Sequence, residues 1–222
     1  MKHIWMKNED ASELLIFCNG WGMDMMPFAT LAESEGLDVL MLYDYTFPEL
    51  DFDLNEVVRE YSRFSVVAWS LGVWAAAELF SSLDIKPASA TAVAGTLEPI
   101  SDDFGIPIQI FEASLYSWSI NTRKKFERRM CTPSKEARDS FVSPERLPEN
   151  QCNELMAIRA REKKSDYACQ LFTRAVICTK DHIFPAQAQR DAWNRCGVET
   201  VERDLPHYPF FVCKSWRDVA EM

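Results

Sequence analysis

A stretch at residues 65–77 constrains the fold of this chain more than any other. Its sequence, SVVAWSLGVWAAA, passes from β-branched residues through a serine into an alanine-rich run. Ser70 has small residues two positions away on both sides, Ala68 and Gly72. Where a strand turns sharply into a helix, larger side chains at those positions would collide across the turn. The stretch therefore predicts a nucleophile elbow with alanine in the first glycine position. The alternative is a buried strand-to-helix junction with an incidental serine.

Composition limits the class of protein. The 222 residues are 47% hydrophobic, which is enough to bury the core of a single domain over residues 1–222. A net charge of −10 argues against nucleic-acid binding, and no apolar run approaches the roughly 18 residues of a membrane span. The seven cysteines are scattered, without a C-x-x-C pair. We therefore expect a cytoplasmic chain without a disulfide framework, a metal site or another cofactor.

Apolar runs alternate with helical segments, which predicts a mainly parallel sheet with helices on both faces. Besides the strand before Ser70, strands are expected at residues 3–6, 13–18, 39–44, 90–95, 106–111, 174–179 and 198–202. Helices are expected at residues 25–35 and 53–61, after Ser70, from Pro185 and near the C-terminus. Between about residues 113 and 173 the alternation gives way to charged helical segments. This change predicts a small helical cap inserted into the domain.

Two residues that follow predicted strands complete a possible catalytic set with Ser70. Asp181 follows the strand at 174–179, and His207 lies in the loop after the last strand. The chain order Ser, Asp, His is the order found in α/β-hydrolases. The sequence thus predicts a triad of Ser70, His207 and Asp181, with a structural role for His207 as the alternative.

Other candidates for the base and the acid fit less well. Of the three histidines, His3 lies on the first strand, far from the carboxyl ends of the parallel strands. His182 is the chain neighbour of Asp181, so it cannot easily point at Ser70 while Asp181 orients it. Asp204 and Asp166 are rival acids, but neither has the strand-then-aspartate context of Asp181.

A glycine-rich loop, Asn19-Gly20-Trp21-Gly22, follows the apolar strand at 13–18. Glycines on both sides of Trp21 allow the backbone amides to approach a ligand closely. Because α/β-hydrolases place the second oxyanion donor in a loop after a central strand, this loop is the candidate. An ordinary glycine turn is the alternative.

A basic segment stands out from the acidic chain. Residues 121–130 contain five basic residues and one acid. Such a run is either a solvated helix face or a docking surface for an acidic partner.

Together these residues give the chain a resemblance to a known family. It resembles the short pimeloyl-acyl-carrier-protein methyl ester esterases of the BioG type, in the α/β-hydrolase superfamily. The matching stretches lie at residues 19–22, 43–45, 67–74, 89–93, 104–107, 121–129, 180–184 and 207–208. They span most of the chain, including the predicted cap. Ala68 and Asn19 depart from the superfamily at large but fit this subgroup.

The resemblance implies an esterase that removes the methyl group from a pimeloyl chain on acyl carrier protein. Freeing this carboxylate would end chain elongation and supply the intermediate for biotin. In that reaction Ser70 is the nucleophile, His207 is the base and Asp181 orients the imidazole. The backbone amides of Trp21 and Leu71 would hold the oxyanion.

The resemblance also implies where the substrate and its carrier bind. Trp69 and the cap aromatics Trp118 and Phe141 are expected to line a slot for the methylene chain, although both tryptophans could equally belong to the core. The expected partner is an acidic acyl carrier protein, without nucleic acid or membrane, and the chain is expected to be a monomer. The expected docking residues are Arg123, Lys124, Arg128 and Arg129.

Two other functions stay open at this point. A carboxylesterase or thioesterase of broader range would use the same triad. A non-catalytic module that binds acyl carrier protein would retain the fold, but a complete triad argues against it.

Overall fold

A seven-stranded sheet forms the centre of the chain, and a computed structural model describes residues 1–162 and 170–222. The strands are β1 (Lys2–Lys7), β2 (Glu13–Cys18), β3 (Leu37–Tyr43), β4 (Arg63–Trp69), β5 (Ser89–Val93), β6 (Arg174–Cys178) and β7 (Glu199–Arg203). Their order across the sheet is β1-β3-β2-β4-β5-β6-β7. Only β1 runs antiparallel to its neighbour among these pairs, so the predicted mainly parallel sheet is confirmed.

Eight helices accompany the sheet in the described part of the chain. They are α1 (Leu54–Arg59), α2 (Leu71–Phe80), α3 (Ile108–Tyr116), α4 (Ile120–Cys131), α5 (Lys135–Ser140), α6 (Pro148–Arg161), α7 (Ala186–Cys196) and α8 (Trp216–Ala220). Local signals set several of their ends. The Asp53 side chain caps α1 by accepting from the Asn55 amide, and Gly197 ends α7 in the left-handed conformation.

The three central strands are buried on both faces. Successive residues of β2, β3 and β4 are almost all buried, although neighbouring side chains of a strand point to opposite faces. Both faces of the sheet are therefore covered. On one of them Phe28 packs against Phe17, Phe210 and Trp216, with ring centroids 4.9, 5.3 and 5.8 Å away. This aromatic layer supports the strand ends at which the candidate site lies.

The helix expected at residues 25–35 is wrong. The chain forms only a short 3₁₀ turn at Met26–Phe28, with Pro27 near its start. The backbone of Ala32 instead pairs with the C-terminal segment, accepting from the Trp216 amide at 3.1 Å and donating to Lys214 at 2.9 Å. A tertiary pairing thus replaces the helical hydrogen bonds that the local pattern favours.

The strand expected at residues 106–111 is also wrong, because α3 begins there at Ile108. Pro107 precedes the helix, where its missing N–H costs no hydrogen bond. The Asp102 side chain accepts from the Ile108 amide at 3.0 Å. The helical region between β5 and β6 therefore starts earlier than the predicted residue 113. Its described part contains α3, α4, α5 and α6, while its status as an inserted cap stays a prediction.

The cysteines differ from the expectation at one position. Cys18, Cys131, Cys152, Cys178 and Cys213 are free, whereas Cys196 is disulfide-bonded. Burial raises the pKa of the Cys18 and Cys131 thiols to about 12, so both act as small neutral groups of the core. Within residues 1–162 and 170–222, no helix is long and apolar enough to cross a membrane. The same residues contain no cluster of three or more His, Cys, Asp or Glu side chains that could hold a metal ion.

We expect Leu15→Ala, in the middle of β2, to lower the free energy of unfolding by about 2–5 kcal/mol. Leu15 is fully buried, so truncation leaves a cavity between the sheet and the helices. The matched variant is Leu147→Ala, because Leu147 is 62% exposed and its change should stay within about 0.5 kcal/mol. Urea unfolding of both variants tests this, and equal losses would contradict the assignment of β2 to the core.

Candidate active site

The serine lies on a sharp turn between β4 and α2. Ser70 has a φ of 58° and a ψ of −128°, a conformation that non-glycine residues seldom adopt. Two glycines make room for it. A Cβ atom on Gly72 would lie 2.3 Å from the Asn19 carbonyl oxygen, and one on Gly95 would lie 2.3 Å from the Ser70 carbonyl oxygen. The turn at Ser70 therefore leaves no room for a side chain at Gly72 or Gly95, as the sequence predicts for the position of Gly72.

The structure brings Ser70, His207 and Asp181 together although they are far apart in the chain. His207 Nε2 lies 3.0 Å from Ser70 Oγ, and His207 Nδ1 lies 2.7 Å from Asp181 Oδ2. All three side chains are buried. With a proton on Nδ1, the imidazole donates to the carboxylate and leaves Nε2 free to accept the serine proton.

The carboxylate of Asp181 is fixed on both oxygens. Its Oδ1 accepts from the backbone amides of Ile183 and Phe184 at 2.7 and 2.9 Å. Its Oδ2 accepts from Gln189 Nε2 at 3.1 Å in addition to the imidazole. Gln189 lies on α7, so the helix after β6 helps to orient the acid.

The histidine loop is tied to the sheet and to α4. Trp69 Nε1 donates to the His207 carbonyl oxygen at 2.8 Å, and the Tyr208 amide donates to the Met130 carbonyl at 3.0 Å. The Phe184 ring stacks on the imidazole with an interplanar angle of 8°. These contacts leave the imidazole little freedom to turn away from Ser70.

The rival residues lie elsewhere. His3 is on β1 with its Nδ1 3.2 Å from Asp51, and His182 is exposed. Asp204 is largely exposed and accepts from the Thr179 hydroxyl at 3.0 Å. Asp166 lies outside the described residues.

Two backbone amides are available beside Ser70. Leu71 is the first residue of α2, so its N–H has no partner within the helix. Trp21 lies in the loop after β2, where the Gly20 amide donates to Asn19 Oδ1 at 2.8 Å. Within the part of the chain that the structure describes, neither the Leu71 nor the Trp21 amide donates to a protein acceptor. Both are therefore free to bind an oxygen.

An apolar cavity opens onto Ser70. Its walls include Trp21, Trp69 and Leu155, and residues from α3 and α4 complete them. Of the predicted pocket residues, Trp69 lines this cavity. Trp118 and Phe141 are not among its lining residues. Trp118 packs behind Trp21 at 4.5 Å between ring centroids, and Phe141 packs on the ring of Tyr208 at 5.0 Å.

The predicted docking residues divide into two kinds. Arg123 is engaged within the protein: it pairs with Glu127 at 2.7 Å and donates to the carbonyl oxygens of Arg146 and Pro144. The guanidinium thus ties α4 to the segment before α6, and a docking role for Arg123 stays a prediction. Of the predicted docking residues, Lys124, Arg128 and Arg129 are exposed on α4. Arg129 also lines the cavity.

Comparison with known proteins identifies the family. The family model of the pimeloyl-ACP methyl esterase BioG matches residues 1–219. The chain belongs to the BioG family. A crystal structure of BioG from Haemophilus influenzae is 33% identical and has a TM-score of 0.84, covering 99% of this chain and 100% of that one. The resemblance on which the sequence analysis relied is thus confirmed.

Two further proteins are similar to this chain. A malonyl-[acyl-carrier protein] O-methyltransferase of Bacteroides fragilis (strain 638R) is 37% identical over 206 residues, which is 91% of this chain. The match spans only 41% of the length of that protein. A lipase-esterase related protein of Clostridium acetobutylicum has a TM-score of 0.66 at 14% identity, covering 99% of this chain and 96% of that one. The fold is therefore that of an α/β-hydrolase, as predicted.

Several residues around the site escaped prediction. Gln189 and Phe184 contact the acid and the imidazole, whereas Gln151 and Glu154 on α6 contact the glycine-rich loop. The only local signal for the last pair is a spacing of three residues on one helix, which places both on the same face. Their partners lie about 130 residues earlier in the chain, so no local pattern connects them.

We expect Gly72→Ala in this BioG chain to displace the elbow and to lower the rate at which a fluorophosphonate labels Ser70 by about tenfold or more. The added Cβ would collide with the carbonyl oxygen of Asn19, a buried residue directly after β2 whose amide donates to the Leu42 carbonyl. Gly36→Ala is the matched variant, because a Cβ at Gly36 meets nothing within 4 Å and strains only the local backbone. Equal labelling rates for both variants would contradict the steric role of Gly72.

Proposed function

We propose that this chain hydrolyses the methyl ester of pimeloyl-acyl carrier protein to pimeloyl-acyl carrier protein and methanol, in biotin biosynthesis. The observation that carries the proposal is the hydrogen-bonded chain from Ser70 through His207 to Asp181 at an apolar cavity. Membership of the BioG family supports the choice of substrate. We further propose that the chain acts as a cytoplasmic monomer and needs no cofactor.

Acylation begins with attack by Ser70 Oγ on the ester carbonyl. His207 Nε2, 3.0 Å from Oγ, takes the serine proton, and the Asp181 carboxylate stabilises the imidazolium that forms. The negative charge that develops on the carbonyl oxygen is bound by the Trp21 and Leu71 amides. Each such donor lowers the barrier by about 3 kcal/mol.

Departure of methanol completes the acylation, and deacylation then uses the same groups. The imidazolium protonates the departing methoxide, which leaves as methanol, and the acyl group stays on Ser70. Neutral His207 then takes a proton from water, and the hydroxide attacks the acyl-enzyme. As the second tetrahedral intermediate collapses, the imidazolium returns this proton to Ser70 Oγ, which leaves as the free hydroxyl. The other product is the free carboxyl group of the pimeloyl chain, which ionises to the carboxylate.

The surroundings of the triad suit a carrier-bound acyl chain. Apolar walls such as Phe111, Phe126 and Leu155 match a run of methylene groups, whose burial stabilises the complex by about 0.8 kcal/mol per CH₂. The thioester end of the chain would then point out of the cavity toward the carrier. Exposed cations on α4 suit an acidic carrier, and they include Lys124, Arg128 and Arg129.

Replacing the nucleophile tests the chemistry. We expect Ser70→Ala to lower kcat for methyl ester hydrolysis by about 10⁴-fold or more and to abolish fluorophosphonate labelling. The fold should survive, since the change removes one hydroxyl. Ser81→Ala, at the exposed end of the same helix, is the control and should keep full activity. Retained turnover in folded Ser70→Ala would overturn the triad.

Reversing the exposed charges tests the carrier. In Lys124→Glu/Arg128→Glu, two exposed residues that do not line the cavity, we expect kcat/KM for methyl pimeloyl-acyl carrier protein to fall by about tenfold or more, and less at high salt. Hydrolysis of a small soluble methyl ester should change much less, because that substrate needs no docking surface. Lys86→Glu is the matched control. Lys86 is exposed and lies just before the amino end of β5, whereas the site lies at the carboxyl ends of the parallel strands.

The same assay separates the competing functions. Offering the carrier-bound methyl ester, free esters and acyl thioesters to the wild type ranks the substrate classes. Preference for thioesters or for free esters would overturn the proposed substrate while keeping the triad. Equal losses on both substrates in the charge-reversal variant would indicate damage to the fold.

A further inference from the structure

The glycine-rich loop is held by α6 through three hydrogen bonds. Trp21 Nε1 donates to the Gln151 carbonyl oxygen at 2.7 Å, and Gln151 Nε2 donates to the Gly22 carbonyl oxygen at 2.8 Å. The Gly22 amide donates to Glu154 Oε2 at 3.1 Å. Gln151 and Glu154 are buried and lie one turn apart on the same face of α6. Together they bind the indole of Trp21 and both the carbonyl oxygen and the amide of Gly22.

The loop needs such support because glycines allow many backbone conformations. Gly22 has a φ of +73°, and a Cβ added to it would lie 3.1 Å from Gln151 Nε2. The peptide that carries the Trp21 amide is held on its other side by the Met23 amide, which donates to the Gly20 carbonyl at 3.3 Å. The direction of the Trp21 N–H thus depends on contacts just beyond it in the loop.

Glu154 is itself fixed by a buried polar network. Its Oε1 accepts from the Tyr45 amide at 3.0 Å, and its Oε2 pairs with Arg146 Nη1. Arg146 Nη2 lies 3.0 Å from Asp44 Oδ2, and all three charged side chains are buried. Burial raises the pKa of Glu154. A carboxylate in the interior is costly unless it is paired. The network pairs Glu154 with Arg146 and so keeps a buried acceptor in place for the Gly22 and Tyr45 amides.

We infer that Gln151 and Glu154 are positioning residues of the oxyanion hole. They do not contact the ester, and they act by holding the loop so that the Trp21 amide points at the oxyanion. The inference rests on the proposed hydrolysis at Ser70. It makes α6 a fixed part of the catalytic unit.

The test uses Gln151→Met and Glu154→Gln in the full chain. Methionine keeps the length of glutamine but cannot donate to the Gly22 carbonyl, and glutamine at 154 leaves one of two backbone amides without its acceptor. A donor displaced by about 1 Å can lower the rate about 100-fold, so we expect kcat for a soluble methyl ester to fall about 10- to 100-fold. KM should stay within about twofold, because the ground state makes little use of the oxyanion hole.

A second readout separates positioning from general destabilisation. Binding of a trifluoromethyl ketone, which forms a tetrahedral adduct with the serine, should weaken by the same factor as kcat. A purely structural role would lower the fraction of folded protein and leave kcat per fluorophosphonate-titrated site unchanged. Arg159→Gln is the control on the same helix, because Arg159 pairs with Glu112 at the surface and not with the loop.

The outcomes are distinguishable. If the wild type is active and the folded variants keep its kcat per site, or differ from it only in KM, the positioning role alone is overturned. A folded wild type that hydrolyses no ester overturns both this role and the proposed function. If Glu154→Gln does not fold, Gln151→Met decides the question, because it changes no charge.

Discussion

The close approach of the elbow to the end of β2 is the constraint on which the rest of the site depends. No side chain fits at Gly72, because the Asn19 carbonyl occupies that space, and Ser70, two residues earlier, has a positive φ. Hydrogen bonds at the same edge of the sheet hold the neighbouring loops. The Asn19 amide donates to Leu42, and the Ser70 amide donates to Val93, both at 2.9 Å. The parallel strands therefore end in one layer, which carries both the serine and the glycine-rich loop.

Features with a local signature could be predicted from the sequence. The elbow is recognisable because small residues flank Ser70, and Asp181 because it follows a buried strand. The fold class follows from the alternation of apolar runs and helical segments, which each segment displays by itself. No local motif marks His207. It can be predicted because the chain has only three histidines and this one follows the last strand.

Features that depend on distant contacts were not predictable in this way. Residues 25–35 have a helical pattern, but Ala32 pairs with the segment before α8. Arg123 belongs to a basic run, but its guanidinium is satisfied by Glu127 and by carbonyl oxygens about 20 residues later in the chain. Trp118 and Phe141 are large apolar residues of the kind that could line a cavity, but their rings pack on Trp21 and Tyr208. In each case a long-range partner decided between two uses that the local sequence allows.

The contacts of α6 determine which parts of the helical region between β5 and β6 could move. Its N-terminal half holds the glycine-rich loop, and Arg161 near its end donates to the Tyr45 carbonyl at 2.6 Å and lies 3.3 Å from Glu78 on α2. Displacing α6 would therefore disturb the loop after β2 and the elbow helix at the same time. The opposite wall of the cavity is different, because Ile110 on α3 and Arg129 on α4 are both lining residues and exposed. Under the proposed hydrolysis, an acyl chain would enter past these exposed residues of α3 and α4, away from the contacts by which α6 holds the glycine-rich loop.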